Sequence, residues 1–321
     1  NIKGIIDQLN LNTKDKTIIY SPPNYAMGIS QVITFLYLQC SFLFDVNGIK
    51  FADNFLNKIK KNKISILNLN IASFKYLKIF KKTFKIKSLR TIMCGGMKMT
   101  PQEAQSIFNF FGNKYIANFY GCTENSPRIS HFKFSKHQLN KYKNFDFLPV
   151  GKAIKGTKII IKSHKQKNKN YGEIILSGNS LMRGYINSKK NIKKTKIYKT
   201  KDIGFFSADK KLFVSGRLDN IFKSGNEKIS PEEIEDKINP FLRNRSYIIV
   251  KKSHPILNWK PILVVEGKKI KSDQKLIDNF EKKLSNFKLP SEIYYLKIFF
   301  RNNYGKIDRK KIFNYITSYA S

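Results

Sequence analysis

The sequence contains few of the residues that build metal centres and disulfide frameworks. Its three cysteines, Cys40, Cys94 and Cys122, lie far apart, and its four histidines lack metal-ligand spacing. An odd cysteine number without a CxxC pair argues against a disulfide framework and a structural zinc site. This pattern favours a reducing compartment, so we expect a cytoplasmic protein with no metal held by histidine or cysteine.

Long apolar runs are also missing. A membrane-spanning helix needs about 20 consecutive apolar residues, and the most apolar early stretch, residues 29–44, is interrupted by Ser30, Gln31, Thr34 and Gln39. We expect no membrane span. The sequence starts at Asn1 without the basic-then-apolar pattern of a signal peptide, which we interpret as a start within a longer protein.

Acidic residues are scarce. The chain has 22 Asp and Glu against 61 Lys and Arg, for a net charge of +39, which is typical of proteins that bind nucleic acid or anionic membranes. However, the lysines are scattered along the whole chain, and arginine, which reads bases and bidentate phosphates, is infrequent. We interpret the charge as a compositional bias and expect no nucleic-acid partner.

The 321 residues leave room for two domains. From Thr17 to Phe119, short apolar runs of strand type alternate with amphipathic helical runs, a pattern of α/β proteins with a mostly parallel, covered sheet. After Tyr120, strand-like runs separated by Gly, Asn and Lys predict a small β-rich subdomain. After Gly216 the pattern becomes α+β, with predicted helices at 231–242 and 273–287 and a final strand at 293–299. We therefore predict a partial large domain over residues 1–218 and a small C-terminal domain over residues 219–321.

Two short segments offer the groups that hold a nucleotide. The first, Asn118-Phe119-Tyr120-Gly121-Cys122-Thr123-Glu124, follows a predicted strand and supplies an aromatic plane, a glycine, a hydroxyl and a carboxylate. The second is the glycine pair Gly95-Gly96, which lets a ring lie on the backbone. Each segment alone is also compatible with an ordinary turn.

Further motifs follow in order along the chain. They are Gly172-Glu173-Ile174 with Gly178, Thr200-Lys201-Asp202-Ile203-Gly204, Gly216-Arg217-Leu218-Asp219 with Lys223-Ser224-Gly225 and Glu233-Ile234-Glu235, and Tyr304-Gly305-Lys306-Ile307-Asp308-Arg309-Lys310. Together with the two earlier segments, this series resembles the motifs of the AMP-forming adenylating superfamily of acyl-CoA synthetases, luciferases and adenylation domains. The resemblance extends over nearly the whole chain.

This resemblance implies an ATP- and Mg²⁺-dependent ligase that activates a carboxylic acid as an acyl-adenylate and transfers it to a thiol. It implies that Tyr120, which precedes Gly121 in the same loop, stacks on one side of adenine, and that Gly95 and Gly96 lie on the other side. Thr123 would contact the α-phosphate and Glu124 would bind Mg²⁺.

The same resemblance assigns the later residues. Asp202 would accept hydrogen bonds from the ribose hydroxyls, Arg217 would contact ribose or phosphate, and Lys306 would reach the carboxylate and α-phosphate. Asp219 would be the hinge of a mobile lid, and Lys223 and Gly225 would approach the thiol. Alternatively, Asp202 and Arg217 form a surface ion pair, Asp219 caps a strand end, and Lys306 is one solvated lysine among many. We interpret Glu233 and Glu235 as first-turn helix acids without a catalytic role.

Three departures from the family pattern bear on function. The phosphate loop is absent from the sequence, so we expect a partial chain that by itself binds nucleotide poorly and turns over little. The alternative is a loop-less, non-catalytic relative that binds an anionic partner. Lys201 stands where a glycine usually precedes the ribose-binding Asp, and Asn226 replaces the second glycine of the Lys-x-Gly-Gly loop.

The acid itself is not specified by sequence. The segment Pro23-Asn24-Tyr25-Ala26-Met27-Gly28 corresponds to the acid-pocket motif and lacks the Asp with which amino-acid-activating members hold an ammonium group. We therefore expect a plain carboxylic acid, fatty or aromatic. Arg128 either lines this pocket or holds the Thr-Glu loop. The thiol is CoA or the phosphopantetheine of an acyl carrier protein.

Overall fold

The structure is a computed structural model and describes residues 1–163, 171–185, 196–242, 245–302 and 305–319. Contacts divide the chain into two compact units. The first unit comprises residues 1–200 and 204–214, and the second comprises residues 201–203 and 215–321.

The helices and strands follow one another as the alternating pattern predicts. The α-helices are α1 (Ile2–Leu9), α2 (Ala26–Tyr37), α3 (Ala52–Lys61), α4 (Ile71–Phe80), α5 (Pro101–Phe111), α6 (Lys136–Leu139), α7 (Pro231–Ile238), α8 (Leu276–Glu281) and α9 (Arg309–Tyr319). The strands are β1 (Thr17–Ile19), β2 (Phe42–Phe44), β3 (Ile66–Asn68), β4 (Thr91–Gly95), β5 (Tyr115–Gly121), β6 (Arg128–Phe134), β7 (Lys152–Ala153), β8 (Thr157–Ser163), β9 (Tyr171–Gly178), β10 (Ile197–Phe206), β11 (Leu212–Arg217), β12 (Phe222–Ser224), β13 (Glu227–Ile229), β14 (Tyr247–His254), β15 (Asn258–Glu266) and β16 (Ile293–Leu296).

The main sheet of the first unit has the strand order β2-β1-β3-β4-β5-β6-β7. Neighbouring strands among β2, β1, β3, β4 and β5 pair in parallel, and β6 and β7 add antiparallel pairs at one side. The mostly parallel sheet is therefore as predicted. Among the described residues, no helix is long and apolar enough to cross a membrane.

Helices cover both faces of this sheet. On one face, α1 and α2 bury Ile5, Leu9 and Phe35 against Met93 and Phe119. On the other face, α3, α4 and α5 pack aromatic and aliphatic side chains against the same strands. Because both faces are buried, the strands need continuous apolar runs, which the sequence provides.

Local signals fix the boundaries of α5. Thr100 accepts from the backbone N–H of Glu103 while Glu103 accepts from the backbone N–H of Thr100, a reciprocal capping box, and Pro101 occupies the first turn. Gly112 ends the helix at φ 68°. These signals are local, so they are readable from sequence.

The separate β-rich region is smaller than the strand-like runs after Tyr120 predict. Strands β6 and β7 lie after Tyr120 but belong to the main sheet, and the separate four-stranded sheet has the order β11-β10-β9-β8. Its core contains Ile174, Leu176 and Leu212, packed with Ile129 and Val150.

The second unit is an α+β fold. Strands β14, β15 and β16 form one sheet, with α7 and α8 packed on one face through residues such as Ile234 and Phe280. Helix α9 packs on the other face through Ile312 and Ile316. Strands β12 and β13 form a separate hairpin.

Three predicted elements of this unit are shorter than expected. The helix predicted at 231–242 is α7, which ends at Ile238 and is followed by a 3₁₀ turn, Asn239–Phe241. The helix predicted at 273–287 is a 3₁₀ turn followed by α8, which ends at Glu281; the N–H groups of Lys288 and Leu289 then bond to the Ser285 carbonyl in a turn before Pro290. The strand predicted at 293–299 ends at Leu296, since the Phe299 N–H donates to the Glu266 side chain instead of a ladder carbonyl.

The structure corrects the prediction that Glu235 is a first-turn acid of its helix. Only Glu232 and Glu233 lie in the first turn of α7. The Glu235 carboxylate instead accepts from Arg309 at 2.6 Å and from the Ile249 N–H at 2.6 Å. It joins α7, β14 and α9, so its position is set by tertiary contacts and not by the helix dipole.

Candidate functional site

The first group of candidate residues lies where β4 and β5 end. Gly95 is the Cα partner of Phe119 in the parallel pair. Since parallel strands end at the same edge of a sheet, Gly96 and Tyr120 emerge together there. The two predicted nucleotide segments are thus adjacent in space, which their 25-residue separation alone does not establish.

Close packing explains the glycines at this edge. A Cβ on Gly95 would lie 2.3 Å from the Phe119 ring, and one on Gly121 would lie 2.0 Å from the Pro127 carbonyl oxygen. Gly96 has φ 82°, a conformation that side chains disfavour. Glycine at these positions therefore lets the Phe119 ring and the Pro127 carbonyl pack directly against the backbone.

A 3₁₀ turn, Thr123–Asn125, follows β5 and carries the hydroxyl and the carboxylate. Asn125 is buried beneath it, and its amide donates to the Arg128 carbonyl and to Thr157. Thr123 is exposed and Glu124 is half-buried. The turn thus presents polar groups at the sheet edge on a fixed base.

Two tyrosine hydroxyls hold Glu124. The Tyr185 hydroxyl donates to a Glu124 carboxylate oxygen at 2.8 Å, and Tyr198 also bonds to this carboxylate. Burial raises the pKa of Glu124, but its own backbone N–H and the two tyrosines outweigh burial and bring the pKa below its ordinary value. Glu124 is therefore ionised at neutral pH.

This arrangement fits a Mg²⁺ ion carried by a nucleotide. Mg²⁺ in nucleotide sites takes one or two carboxylates, with phosphate oxygens and water completing its shell. Within the described ranges no group of three or more His, Cys, Asp or Glu could hold a metal alone, and Glu124 supplies a single ionised carboxylate.

The second group of candidate residues lies in the second unit. Arg217 donates to Asp202 at 2.7 Å and to Asp219 at 3.4 Å, and Lys201 pairs with Asp219 at 3.2 Å. The Asp202 side chain is 13% exposed, against 46% for Arg217. The ion pair weighed as an alternative for Asp202 and Arg217 does form, with the carboxylate on its sheltered side.

The backbone at Lys201 has a conformation that favours glycine. Lys201 has φ 61°, in the left-handed region that a non-glycine residue occupies at a cost. A glycine would adopt this turn before Asp202 at lower cost than the lysine does.

Lys306 belongs to the same charged group. It lies in a loop closed by a bridge between Arg301 and Ile307, with its N–H bonded to the Asn302 side chain at 3.1 Å. Reduced hydration of its ammonium lowers the pKa of Lys306, and Arg217 lowers it further while Asp202 opposes this. Residues about 100 positions apart in sequence therefore share one electrostatic environment.

Lys223 and Gly225 lie on the β12–β13 hairpin. Both are exposed, and Gly225 has φ 56° with its N–H bonded to the Leu257 carbonyl at 2.9 Å. Lys223 is the cross-strand partner of Lys228, so the hairpin presents two like charges side by side.

The structure thus brings the predicted residues together in two sets. The first unit gathers Gly95, Gly96, Tyr120, Gly121, Thr123 and Glu124, and the second unit gathers Asp202, Arg217, Asp219 and Lys306. Sequence reasoning gave no role to Tyr185 and Tyr198. The Gly184-Tyr185 pair was a visible signal, whereas nothing local marks Tyr198.

A family model matches residues 1–186 of this chain and describes an AMP-binding enzyme. The chain belongs to the AMP-binding enzyme family. The match covers more than half of the sequence and includes the glycine pair and the Tyr120 to Glu124 segment.

Two similar proteins match most of this chain at low sequence identity. The chain is 24% identical to 2-succinylbenzoate–CoA ligase of Enterococcus faecalis over 96% of this chain and 63% of that protein. It is 26% identical to D-alanine–D-alanyl carrier protein ligase of Streptococcus pyogenes over 73% of this chain and 49% of that protein. The chain therefore spans about half to two-thirds of the length of these relatives.

The fold resembles that of o-succinylbenzoate CoA synthetase from Bacillus subtilis. Its complex with an acyl-adenylate intermediate matches 97% of this chain and 63% of that chain at a TM-score of 0.81 and 19% identity. The complex of the same enzyme with ATP and a magnesium ion matches at a TM-score of 0.79 and 18% identity. These matches support the fold assignment.

Proposed function

We propose that this protein is an AMP-forming acid–thiol ligase that uses ATP and Mg²⁺ to activate a carboxylic acid. The observation that carries the proposal is the grouping of Asp202, Arg217 and Lys306. Three motifs far apart in sequence meet in one charged cluster, as the motif series requires of a nucleotide site. At the sheet edge of the first unit, Glu124 carries the carboxylate that the family resemblance assigns to Mg²⁺.

In the first half-reaction, the carboxylate oxygen of the acid attacks the α-phosphorus of ATP, and pyrophosphate leaves. Lys306 would neutralise charge on the carboxylate and α-phosphate as the new bond forms. Asp202 would accept from the ribose hydroxyls, and Arg217 would orient Asp202. Bound Mg²⁺ would neutralise phosphate charge from its place on Glu124.

Adenine would lie on the backbone of Gly95 and Gly96 against the Tyr120 ring. The missing Cβ at Gly95 lets the Phe119 ring pack against the backbone, and Gly121 allows the loop to close against Pro127. Thr123, exposed at the turn, would donate to the α-phosphate.

In the second half-reaction, a thiol attacks the acyl carbon and AMP leaves. We propose that Asp219 is the hinge that changes the pose of the C-terminal domain between the two halves. The Lys223 side chain and the Gly225 turn would then approach the incoming thiol. The two relatives use CoA and a carrier protein by name, so both thiols are candidates for this chain.

The acid is proposed to be a plain carboxylic acid. The relatives are named for 2-succinylbenzoate and D-alanine. The segment Pro23 to Gly28 contains no carboxylate that could hold an ammonium group. This favours an acid without an ammonium group over an amino acid such as D-alanine. The three cysteines form no disulfide bond, which favours a cytoplasmic location for the reaction.

Acid-dependent exchange of pyrophosphate into ATP tests this proposal. The intact protein is expected to catalyse exchange with at least one acid of a fatty and aromatic panel, and Asp202→Asn is expected to need a higher ATP concentration for it. Asp278→Asn, which alters an exposed carboxylate at the start of α8, is the matched control. Absence of exchange with every acid, in a folded protein, would overturn the proposal.

The thiol is identified separately. Mass spectrometry of the products formed with CoA and with a phosphopantetheinylated carrier protein distinguishes the two acceptors. A product with only one of them assigns the second half-reaction.

A further inference from the structure

Lys306 lies on a short hairpin between β16 and α9. Three pairs of residues face each other across this hairpin, and they are Phe300 with Asp308, Arg301 with Ile307, and Asn302 with Lys306. The Asn302 N–H donates to the Lys306 carbonyl at 2.9 Å, and the Asn302 side chain accepts from the Lys306 N–H at 3.1 Å. The backbone of Lys306 is therefore held on both of its polar groups.

The two faces of the hairpin carry different side chains. Side chains alternate between the faces of an extended strand, so Arg301 and Ile307 lie on one face, and Asn302 and Lys306 lie on the other. Ile307 packs against the core between the sheet and α9. The Arg301 face is thus turned toward the protein, and Lys306 is exposed on the opposite face.

Arg301 attaches the inner face of the hairpin to the sheet. Its guanidinium forms an ion pair with Glu266, the last residue of β15, and donates to the Ser246 hydroxyl at 3.2 Å. The other Glu266 carboxylate oxygen accepts from the Phe299 N–H at 2.8 Å. The Arg301 and Glu266 side chains are 30% and 22% exposed, so water screens this pair less than a pair on the open surface.

The end of the hairpin that enters α9 is held in a similar way. Arg309 donates to the two Glu235 carboxylate oxygens at 2.6 and 2.7 Å and to the Ile249 carbonyl at 2.9 Å. Two arginine–carboxylate pairs therefore flank Lys306, one five residues before it and one three residues after it. The Arg309 pair joins three elements of the unit, whereas the Arg301 pair holds the base of the hairpin.

We propose that the Glu266–Arg301 ion pair positions Lys306 for the adenylation step, so that Glu266 and Arg301 are positioning residues of the first half-reaction. This inference rests on the proposed function and adds two residues that lie outside the motif series. Because the lysine side chain is a flexible four-carbon stem, the position of its backbone decides which atoms the ammonium can reach. A displacement of about 1 Å at a reacting group can lower a rate by about 10²-fold.

The test measures the two half-reactions separately on the intact protein. Arg301→Gln and Glu266→Gln each remove one charge of the pair, and Glu266→Gln keeps an acceptor for the Phe299 N–H. Both variants are expected to lower kcat for acid-dependent pyrophosphate exchange by about tenfold, the order of one charged hydrogen bond. KM for ATP is expected to stay within about twofold, because Lys306 acts as the new bond forms.

Thiol transfer is measured from a supplied acyl-adenylate of an acid that supports exchange. The proposed mechanism gives Lys306 no part in this step, so both variants are expected to keep the wild-type rate.

Two control variants calibrate the loss of exchange. Arg301→Lys keeps a cation beside Glu266 and is expected to retain exchange within about threefold of the wild type. Glu292→Gln removes the carboxylate of a separate ion pair beside the same sheet, formed with Lys252 at 2.8 Å. This variant is expected to leave both half-reactions unchanged.

A second measurement reports on Lys306 without using activity. Labelling with acetic anhydride over a range of pH, read by peptide mass spectrometry, gives the pKa of the Lys306 ammonium. In the wild type, reduced hydration and the charge of Arg217 hold this pKa below its ordinary value, against the opposing effect of Asp202. In Arg301→Gln and Glu266→Gln the pKa is expected to rise toward its ordinary value, because the ammonium leaves these surroundings.

An equal loss of both half-reactions overturns the inference, since it would mean a general loss of structure. Wild-type exchange and an unchanged pKa of Lys306 in both variants also overturn it, and they leave the ligase in place. Absence of exchange in every protein, with a raised pKa of Lys306 in the two variants, retains the anchor and refutes the ligase. If Arg301→Gln does not fold, the isosteric Glu266→Gln decides alone.

Discussion

The two sets of candidate residues hold their carboxylates in different ways. Glu124 accepts from the neutral hydroxyls of Tyr185 and Tyr198, so its negative charge is fixed in place but not cancelled. Asp202 accepts from the guanidinium of Arg217, so its charge is already balanced. The difference suggests a division of labour, in which Glu124 is suited to a metal ion and Asp202 to neutral hydroxyl groups.

Lys306 offers the strongest test of the charged set. Lys306→Ala should reduce the adenylation rate by about 10²- to 10³-fold, because a positioned charge at developing negative charge is worth that much. Pyrophosphate exchange by the intact protein measures the effect. The matched control is Lys310→Ala, which alters an exposed lysine in the first turn of α9. An equal loss of rate in both variants contradicts a specific role for Lys306.

Glu124→Gln and Asp202→Asn break the comparison directly. The loss of one charged contact should weaken the affected ligand by about 10- to 100-fold in each case. Glu124→Gln is expected to raise the Mg²⁺ concentration needed for half-maximal exchange, whereas Asp202→Asn is expected to raise KM for ATP at saturating Mg²⁺. The same Mg²⁺ dependence in both variants would remove the distinction between the two sets.

Tyr185→Phe and Tyr198→Phe sharpen it. Each removes a hydrogen bond that lowers the pKa of Glu124, so the acidic limb of the pH–activity profile should move to higher pH. Loss of such an outer contact should also weaken Mg²⁺ binding by about tenfold.

The effect on stability has a defined sign. The lowered pKa of Glu124 stabilises the fold above its unfolded value, near 4.5, and this contribution disappears as pH falls through the folded pKa. Denaturant unfolding should therefore separate wild type from the tyrosine variants at neutral pH more than in acid. A pH-independent difference would mean that the tyrosines act through packing alone.

Lys201 gives the smallest expected effect. Because its φ is 61°, Lys201→Gly and Lys201→Ala should differ by about 1 kcal/mol in the free energy of unfolding, with glycine the more stable. Both variants lose the exposed pair with Asp219, so that loss cancels in the comparison. Equal stabilities would show that the left-handed turn is not maintained in solution.

Much of the fold was readable from the sequence because its signals are local. The alternation of apolar strand runs with amphipathic helical runs predicted the parallel sheet. The capping box of Thr100 and Glu103 and the terminal Gly112 are further local signals, which bound α5. The order of the motifs indicated the family and the candidate residues of the nucleotide site. The extent of the helix near 273–287 was wrong, since a turn around Ser285 competes with helical bonds.

The tertiary structure decided what depends on partners distant in sequence. It showed that Tyr185 and Tyr198 hold Glu124, that Glu235 pairs with Arg309, and that Lys201 adopts a left-handed turn. It also left Arg128 buried without a carboxylate partner among the described residues. A sequence states which charges a chain carries, but only folding brings each charge to its partner or leaves it without one, and the chemistry of the site follows from that pairing.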